Sequence, residues 1–283
     1  MRNILPDPAF RRGFRVLSQK DHENGQRVEE LGVFPDGAAE PVWKLAQWDS
    51  GPCLWKNRVP TADPNELTDG VSRAFIYHPS DASLTLRLDT SAFYRGRPHL
   101  EGMYWPHLLI EQTGFRENLT EGVRVGLDLR LTDYRHTPIE GDFVRAAQFL
   151  MFLYLRSRTG NDFVWFGLHF FDSRAAFSPA YIGYDGAKAD ASNALIYSVG
   201  ERDIFGEYSL WKDGAPCPDG VWRSVSVDMT PHITRILEAG CADGYFKSAR
   251  NPQDFCICGL NIGWESIGTF DHTMEIRNLS VEM

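Results

Sequence analysis

The sequence predicts an all-β protein built as an antiparallel sandwich of two sheets. Three observations lead to this prediction. Apolar and polar residues alternate at period two in many short segments, turn residues separate these segments, and only one segment has a convincing helical pattern. A chain of 283 residues, 43% of them hydrophobic, is long enough to bury the core of one large sandwich. We therefore expect a single domain over residues 1–283.

Strands are predicted wherever the alternation is regular. The half-buried strands are 83–88, 123–131, 223–228 and 272–283. Segments 147–156 and 162–171 are almost entirely apolar, as expected of central strands covered on both faces. The residues between these two segments have the composition of a hairpin turn.

The one predicted helix follows strand 223–228. Thr230 is a suitable N-cap, Pro231 suits the first helical position, and Gly240 is a natural stop. The apolar stripe of this helix consists of Ile233, Ile236 and Leu237. Many strands with a single helix predict a jelly-roll or concanavalin-like sandwich.

Residues 18–70 lack clear alternation and are richer in proline, glycine and acidic residues. We expect them to form long loops that wrap the sandwich. This segment contains Trp43, Trp48 and Trp55, which are too large to be left exposed without a reason.

Charge and hydropathy exclude several classes of partner. The chain has 29 basic and 38 acidic residues, for a net charge of -9, whereas binding to phosphate backbones needs a positive field. The longest apolar run, 146–155, is far shorter than a membrane-spanning helix, and no basic run suggests a membrane surface. We therefore expect neither a nucleic-acid nor a membrane partner.

The N-terminal residues have no apolar core of signal-peptide length, and the five cysteines form no complete disulfide framework. Cys256 and Cys258 lie two residues apart in a predicted strand, a spacing that suits neither a zinc knuckle nor an unstrained disulfide. We expect reduced thiols and a cytoplasmic location.

The first candidate site is the segment 259–265. At period two Leu260, Ile262 and Trp264 share one face, while Asn261, Gly263 and Glu265 share the other. One face is therefore apolar, and the other carries an amide, a glycine and a carboxylate. We expect Gly263 to leave room beside Glu265 for a ligand to lie against the backbone.

Residues of three other predicted strands extend this polar face. His107 and Glu111 share a face of one predicted strand, Trp165 and His169 share a face of another, and Tyr154 and Arg156 lie together on a third. The predicted surface contains Arg156, Trp165, His169, His107, Glu111, Asn261 and Glu265. Aromatic walls with a few placed polar groups are the general pattern of a ligand site and suit a sugar.

Each of these residues also has a purely structural interpretation. A lone strand histidine usually satisfies a local hydrogen bond, and Trp165 and Trp264 suit a core as well as a stacking platform. Glu111 is equally suited to pair with an arginine such as Arg156 across the sheet.

Glycoside hydrolysis needs two carboxylates, about 5 to 5.5 Å apart for retention and roughly 6.5 to 9.5 Å apart for inversion. Glu111 and Glu265 would form such a pair if their strands were close neighbours, with Glu101 and Asp185 as substitutes. A lyase would instead use a base such as Tyr184 or His169 with Arg156 as the neutralising group.

Other chemistries are poorly supported. The chain has no nucleophile elbow, no phosphate-binding loop and no dinucleotide-binding fingerprint. Convergence of His107, Glu111 and His169 on a metal is disfavoured because no His-x-His pair accompanies them. We therefore expect no catalytic metal and no cofactor, while a structural calcium ion stays open.

Three segments resemble carbohydrate-binding modules with a jelly-roll fold. They are Asn3-Ile-Leu-Pro-Asp-Pro-Ala-Phe with Gly13-Phe14, Val221-Trp-Arg-Ser-Val-Ser-Val-Asp-Met-Thr-Pro231, and the ending 270–283. This resemblance implies a β-sandwich that handles carbohydrate.

A second resemblance concerns family-twelve-type endoglucanases. Gly263-Trp264-Glu265, followed by a final strand, is similar to their acid/base region, which implies that Glu265 is the acid/base. Glu101-Gly-Met103-Tyr-Trp105 is similar to their Glu-x-Met-x-Trp nucleophile pattern. Pro106 follows at once and would interrupt a strand, so Glu101 and Glu111 both stay candidate nucleophiles.

The leading hypothesis is an enzyme that cleaves a glycan or glycoside. It would use Glu265 with Glu111 or Glu101, and His107, Trp105, Arg156, Trp165, His169, Tyr184, Asp185 and Asn261 would bind the substrate. The alternatives are a non-catalytic carbohydrate-binding or accessory protein and an assembly subunit. Substrate, linkage and oligomeric state are left open.

Overall fold

A computed structural model of the chain describes residues 1–17, 29–33, 39–47, 54–119, 122–185, 193–206, 210–211 and 218–283. The strands are β1 Phe14–Leu17, β2 Glu29–Val33, β3 Trp43–Ala46, β4 Glu66–Thr68, β5 Arg73–His78, β6 Ser83–Asp89, β7 His107–Asn118, β8 Arg124–His136, β9 Ala146–Ser157, β10 Phe163–Asp172, β11 Tyr181–Tyr184, β12 Leu195–Val199, β13 Arg223–Asp228, β14 Phe255–Ile267 and β15 Phe270–Glu282. The helices are α1 Leu54–Asn57, α2 Thr90–Tyr94, α3 Glu201–Phe205 and α4 Thr230–Ala242.

The predicted β-sandwich is confirmed. Within the described residues, one sheet has nine strands in the order β11-β12-β10-β9-β14-β7-β3-β1-β2, and the other has six in the order β13-β8-β15-β6-β5-β4. Neighbouring strands run antiparallel except at two places among the described strands, where β1 pairs with β3 and β10 pairs with β12 in parallel. The long strands β7, β14, β9 and β10 therefore form the middle of the larger sheet.

The core lies between the two sheets and is lined by the apolar residues of alternating strands. Leu260, Ile262 and Trp264 all point into it, as their period-two spacing predicted. The indole Nε1 of Trp264 donates a hydrogen bond to the Leu86 carbonyl of β6 at 3.0 Å, which satisfies its polar atom across the sandwich.

The hairpin between β9 and β10 is also as predicted. Ser157 N donates to the Asp162 carbonyl at 2.9 Å and closes the turn. The side chains of β9 and β10 point alternately to the core and to the opposite face of the sheet, and each strand carries large side chains on both faces.

The loop prediction for residues 18–70 was incomplete, because strands β2, β3 and β4 and helix α1 lie within this segment. These strands are short and lie towards one end of each sheet, so they have little alternation to detect. Trp43 is fully buried and donates its indole hydrogen to the Asp7 carbonyl at 2.7 Å. Trp48 and the side chain of Trp55 lie outside the described residues.

Helix α4 differs in detail from its prediction. It starts at Thr230, whose backbone N and Oγ1 both donate to Asp228, and it continues past Gly240 to Ala242. A Cβ at Gly240 would lie 2.4 Å from the ring of Phe246. This glycine therefore serves close packing and not helix termination.

No helix in the described part of the chain is long and apolar enough to cross a membrane. Of the five cysteines, Cys241, Cys256 and Cys258 are free thiols. Cys53 and Cys217 lie outside the described residues.

Candidate ligand-binding face

The candidate site lies on the outer face of the nine-stranded sheet, the face turned away from the six-stranded sheet. Pairing in register places residues of neighbouring strands on the same face. The polar and aromatic candidate side chains of this outer face are His107 and Glu111 on β7, Asn261 and Glu265 on β14, Gln148, Tyr154 and Arg156 on β9, and Trp165, His169 and Asp172 on β10. The predicted convergence of three separate segments on one face is thus observed.

A row of polar residues crosses one end of the outer face. This polar row consists of His107, Glu265, Gln148 and Asp172, with Arg174 bound to Asp172. Glu265 lies directly opposite His107 on β7 and directly opposite Gln148 on β9. The Nε2 atom of His107 is 3.9 Å from Glu265 Oε2, and the Glu265 side chain is 21% exposed. The carboxylate is therefore partly open to a ligand.

The row continues from Gln148 to Asp172 on β10. Gln148 Nε2 donates to Asp172 Oδ2 at 3.0 Å, and Arg174 donates to both Asp172 oxygens at 2.9 and 2.6 Å. Burial raises the pKa of Asp172, but the hydrogen bonds and charge of Arg174 outweigh burial and hold that pKa below its usual value. Asp172 is thus an ionised, fully engaged acceptor.

Glu111 occupies a different part of the outer face. The Tyr154 hydroxyl donates to Glu111 Oε1 at 2.8 Å, and Lys44 of β3 lies opposite Glu111 in register. The ring of Tyr154 reaches Glu111 by crossing β14 over Gly259, where a Cβ would lie 2.7 Å from that ring. Glu111 is buried, and its carboxylate is held by the protein itself.

The register separates Glu111 from Glu265. The two strands are adjacent, as the carboxylate-pair hypothesis required, but Glu111 pairs with Asn261, four residues from Glu265. At about 3.4 Å per residue this offset is roughly 13 Å along the strand. The predicted pair is therefore not brought together.

Gly263 has a different role from the predicted one. Its φ is +152°, and a Cβ there would lie 2.2 Å from the Leu108 carbonyl oxygen of β7. Glycine is needed because two strands approach closely at this point, and not because a ligand lies against the backbone.

His169 is buried on the outer face. Its Nε2 atom lies 3.2 Å from the Ser198 hydroxyl of β12, and burial lowers the pKa of the ring to about 4. The ring is therefore neutral at neutral pH. The described residues contain no group of three side chains arranged to hold a metal ion, and the His107, Glu111 and His169 set is not such a group.

Aromatic side chains occupy the other end of the outer face. The Trp165 ring lies 4.8 Å from Tyr154 and 4.9 Å from Phe163, each nearly perpendicular to it. The guanidinium group of Arg156 lies over the Phe163 ring at 5.5 Å. Trp165 is half-buried, so it is neither a core residue nor a free platform.

The remaining predicted residues, Glu101, Trp105, Tyr184 and Asp185, hold no strand position in this row. Glu101 is exposed in the turn that precedes β7, and the half-buried Trp105 lies 6.4 Å from the His107 ring. Tyr184 pairs with Leu195, which points to the core side of the sheet. Its ring is 5.2 Å from Tyr245, so Tyr184 is not on the outer face. Asp185 follows in a turn, where its backbone N donates to the Ala194 carbonyl.

Sequence reasoning missed three residues of the polar row: Gln148, Asp172 and Arg174. Gln148 had one available signal, because it interrupts an otherwise apolar run. Asp172 ends its apolar strand and Arg174 lies beyond it, so only the register shows that they support Gln148.

No protein-family model matches the chain, and no curated protein matches its sequence. Among solved structures the chain is similar to a family 12 xyloglucanase from Bacillus licheniformis, with 10% identity over 80% of this chain and 96% of that chain and a TM-score of 0.45.

Two further structures show a likeness of the same kind. One is the xyloglucanase domain of a type three effector from Sinorhizobium fredii in complex with cellobiose, with 11% identity over 79% of this chain and 99% of that chain and a TM-score of 0.39. The other is endoglucanase 3 of family GH12 from Trichoderma harzianum, with 10% identity over 81% of this chain and 88% of that chain and a TM-score of 0.39. The likeness to family 12 glycoside hydrolases is weak and concerns the fold, so it assigns no role to any residue.

Proposed function

We propose that the protein binds an extended carbohydrate on the outer face of its nine-stranded sheet and does not hydrolyse it with a pair of carboxylates. The observation that carries this proposal is the pair of cross-strand neighbours of Glu265. Those neighbours are His107 on β7 and Gln148 on β9, so neither adjacent strand places a second carboxylate directly beside Glu265.

Glu111 and Asp172 carry the other carboxylates named on the outer face, and neither is suited to act as the second catalytic carboxylate. Glu111 lies about 13 Å from Glu265 along the strand direction, beyond the separation of either hydrolytic geometry. Asp172 is two strands away, its side chain is 1% exposed, and Arg174 and Gln148 already occupy its oxygens. A carboxylate in that state neither attacks a sugar nor activates water.

The outer face nevertheless has the composition of a sugar site. Trp165 and its aromatic neighbours at one end offer apolar surface for sugar rings, and Glu265 and Gln148 at the other end accept hydrogen bonds. Trp165 pairs with Tyr154, six residues along β9 from Gln148, which is about 20 Å. A ligand that touches both ends is therefore an oligomer and not a single sugar.

Isothermal titration calorimetry with cellohexaose, maltohexaose and xylohexaose tests the proposal. We expect at least one hexaose to bind and Trp165→Ala to weaken its binding about tenfold or more, because a stacking surface is lost. Tyr184→Ala is the matched control, since Tyr184 is 61% exposed and lies on the other side of the sheet. That variant should bind as the wild type does.

A reducing-end assay on the same mixtures separates binding from hydrolysis. If the wild type releases new reducing ends and Glu265→Gln does not, the non-hydrolytic part of the proposal is overturned and the enzyme hypothesis is restored. Absence of binding to all three hexaoses, together with an oligomeric mass in solution, would instead favour an assembly subunit.

A further inference from the structure

The amide of Gln148 has a fixed orientation. Its neighbour Asp172 is an ionised carboxylate that only accepts hydrogen bonds, so the Gln148 NH2 group must face it. The other end of the amide, Oε1, is therefore turned away from Asp172. Among the residues that the structure describes, none donates a hydrogen bond to this Oε1.

Asp172 is itself held in place. Arg174 binds both of its oxygens in a bidentate pair, and the Arg174 backbone N donates to Asp172 Oδ1 at 3.0 Å. Bidentate pairs of this kind fix both distance and direction. The orientation of Gln148 thus depends on a chain of contacts that starts at Arg174.

Gln148 Oε1 and the Glu265 carboxylate, which His107 Nε2 approaches only to 3.9 Å, together present acceptors to a ligand. Gln148 and Glu265 lie directly opposite each other on neighbouring strands, about 5 Å apart at their Cβ atoms. Among the described residues neither acceptor is a buried atom without a partner, so both are open to solvent, and a ligand that supplies two hydrogen-bond donors can replace the water there. Free hydroxyl groups of a sugar supply such donors, whereas methylated or acylated oxygens do not.

We propose that Gln148 and Glu265 bind two free hydroxyl groups of the carbohydrate and that Asp172 and Arg174 are positioning residues for Gln148. This inference rests on the proposed function, because it names what the outer face selects for. The protein then discriminates between a glycan with free hydroxyls at this point and the same glycan with those hydroxyls blocked.

The test compares each hexaose that binds with its fully O-methylated form, in the wild type and in Gln148→Leu. We expect the wild type to prefer the unmethylated form, and Gln148→Leu to reduce that preference about tenfold, the effect of one lost hydrogen bond. The added bulk of the methyl groups affects both proteins equally and cancels from the comparison. Glu265→Gln, at a partly exposed position, keeps the shape of the side chain and should also reduce the preference.

Asp172→Asn tests the positioning role. An asparagine either donates or accepts, so the Gln148 amide is no longer held in one orientation. We expect a reduced preference for free hydroxyls in this variant, with thermal unfolding used to select conditions where the protein is folded. If Asp172 had a purely structural role, Asp172→Asn would weaken the binding of both ligands equally and leave the ratio of the two affinities unchanged.

The outcomes of the two proposals differ. If no hexaose binds to the wild type, the proposed function fails and this inference fails with it. If a hexaose binds but the wild type does not prefer free hydroxyls, or if Gln148→Leu keeps the wild-type preference, carbohydrate binding stands and the inference is overturned.

Discussion

The Tyr154 hydroxyl donates a hydrogen bond to the Glu111 carboxylate at 2.8 Å across the full width of strand β14. Both residues are buried, and the tyrosine ring passes over Gly259 to reach its partner. This contact shows why Glu111 does not take part in the polar row at Glu265. Its carboxylate helps to hold three strands together.

Loss of that hydroxyl should destabilise the protein. We expect Tyr154→Phe to lower the free energy of unfolding by about 1.5 to 3 kcal/mol, the range for a hydrogen bond to a charged group. Urea denaturation measures the change. Tyr181→Phe is the control, because Tyr181 is exposed on the edge strand β11 and its loss of a hydroxyl should have little effect. Equal stability of the two variants would contradict the structural role of the contact.

Gly263 should not tolerate a side chain. Alanine there meets both an unfavourable φ and a carbonyl oxygen at 2.2 Å, so we expect Gly263→Ala to cost more than about 3 kcal/mol or to prevent folding. Gly96→Ala separates the two causes, since Gly96 also has a positive φ but no atom within 4 Å of an added Cβ. That variant should cost only about 1 to 2 kcal/mol by thermal or urea unfolding.

Acid should destabilise the protein through buried histidines. The His272 ring stacks on Trp264 at 3.8 Å, and burial lowers its pKa to about 3. Between about pH 6.5 and pH 3 the unfolded state binds this proton and the folded state does not, so stability falls as the pH falls. The stability contributed by the neutral ring is complete above the unfolded pKa and declines below it.

A variant isolates this effect. His272→Phe keeps an aromatic ring against Trp264 but removes the proton uptake, so the slope of unfolding free energy between pH 6 and pH 4 should decrease by about 1.4 kcal/mol per pH unit. Urea midpoints at several pH values measure the slope. His169→Phe should independently reduce the slope of unfolding free energy against pH by a similar amount, because burial lowers the pKa of His169 to about 4. An unchanged acid slope in both variants would show that other groups control acid unfolding.

Gln112 should be a destabilising residue in the core. It is fully buried between Trp43 and Leu260 in register, and neither atom of its amide has a hydrogen-bond partner among the described residues. Replacement by a similar apolar shape removes the cost of an unsatisfied amide. We therefore expect Gln112→Met to raise the free energy of unfolding by about 1 to 3 kcal/mol, measured by urea denaturation. A loss of stability would contradict the unpaired state of the amide.

Local sequence patterns predicted much of the fold. The strand 223–228 was predicted with its observed bounds, and the strands around β9 and β10 within one residue, because each is a regular period-two or apolar segment flanked by turn residues. The short strands β2, β3 and β4 were missed. A strand of three to five residues gives too few alternations to stand out from a loop.

The outer face was predicted in part. The alternation of single strands correctly placed His107, Glu111, Asn261, Glu265, Trp165 and His169 on one side of the sheet. Tyr184 lies on the edge strand β11 and apart from these residues, and its predicted substrate-binding role stays a prediction. The catalytic roles given to Glu265, Glu111 and Glu101 stay predictions.

The sequence by itself determined the two-sheet sandwich and the polar strand faces, because a side chain's face follows from local periodicity alone. Only the tertiary structure decided which polar residues meet. Register between strands is set by the packing of both sheets, and a shift of two residues keeps every face while changing every partner. That register places Glu265 opposite Gln148 and leaves Glu111 with Tyr154. The proposal of a binding surface in place of a hydrolytic pair rests on this relationship.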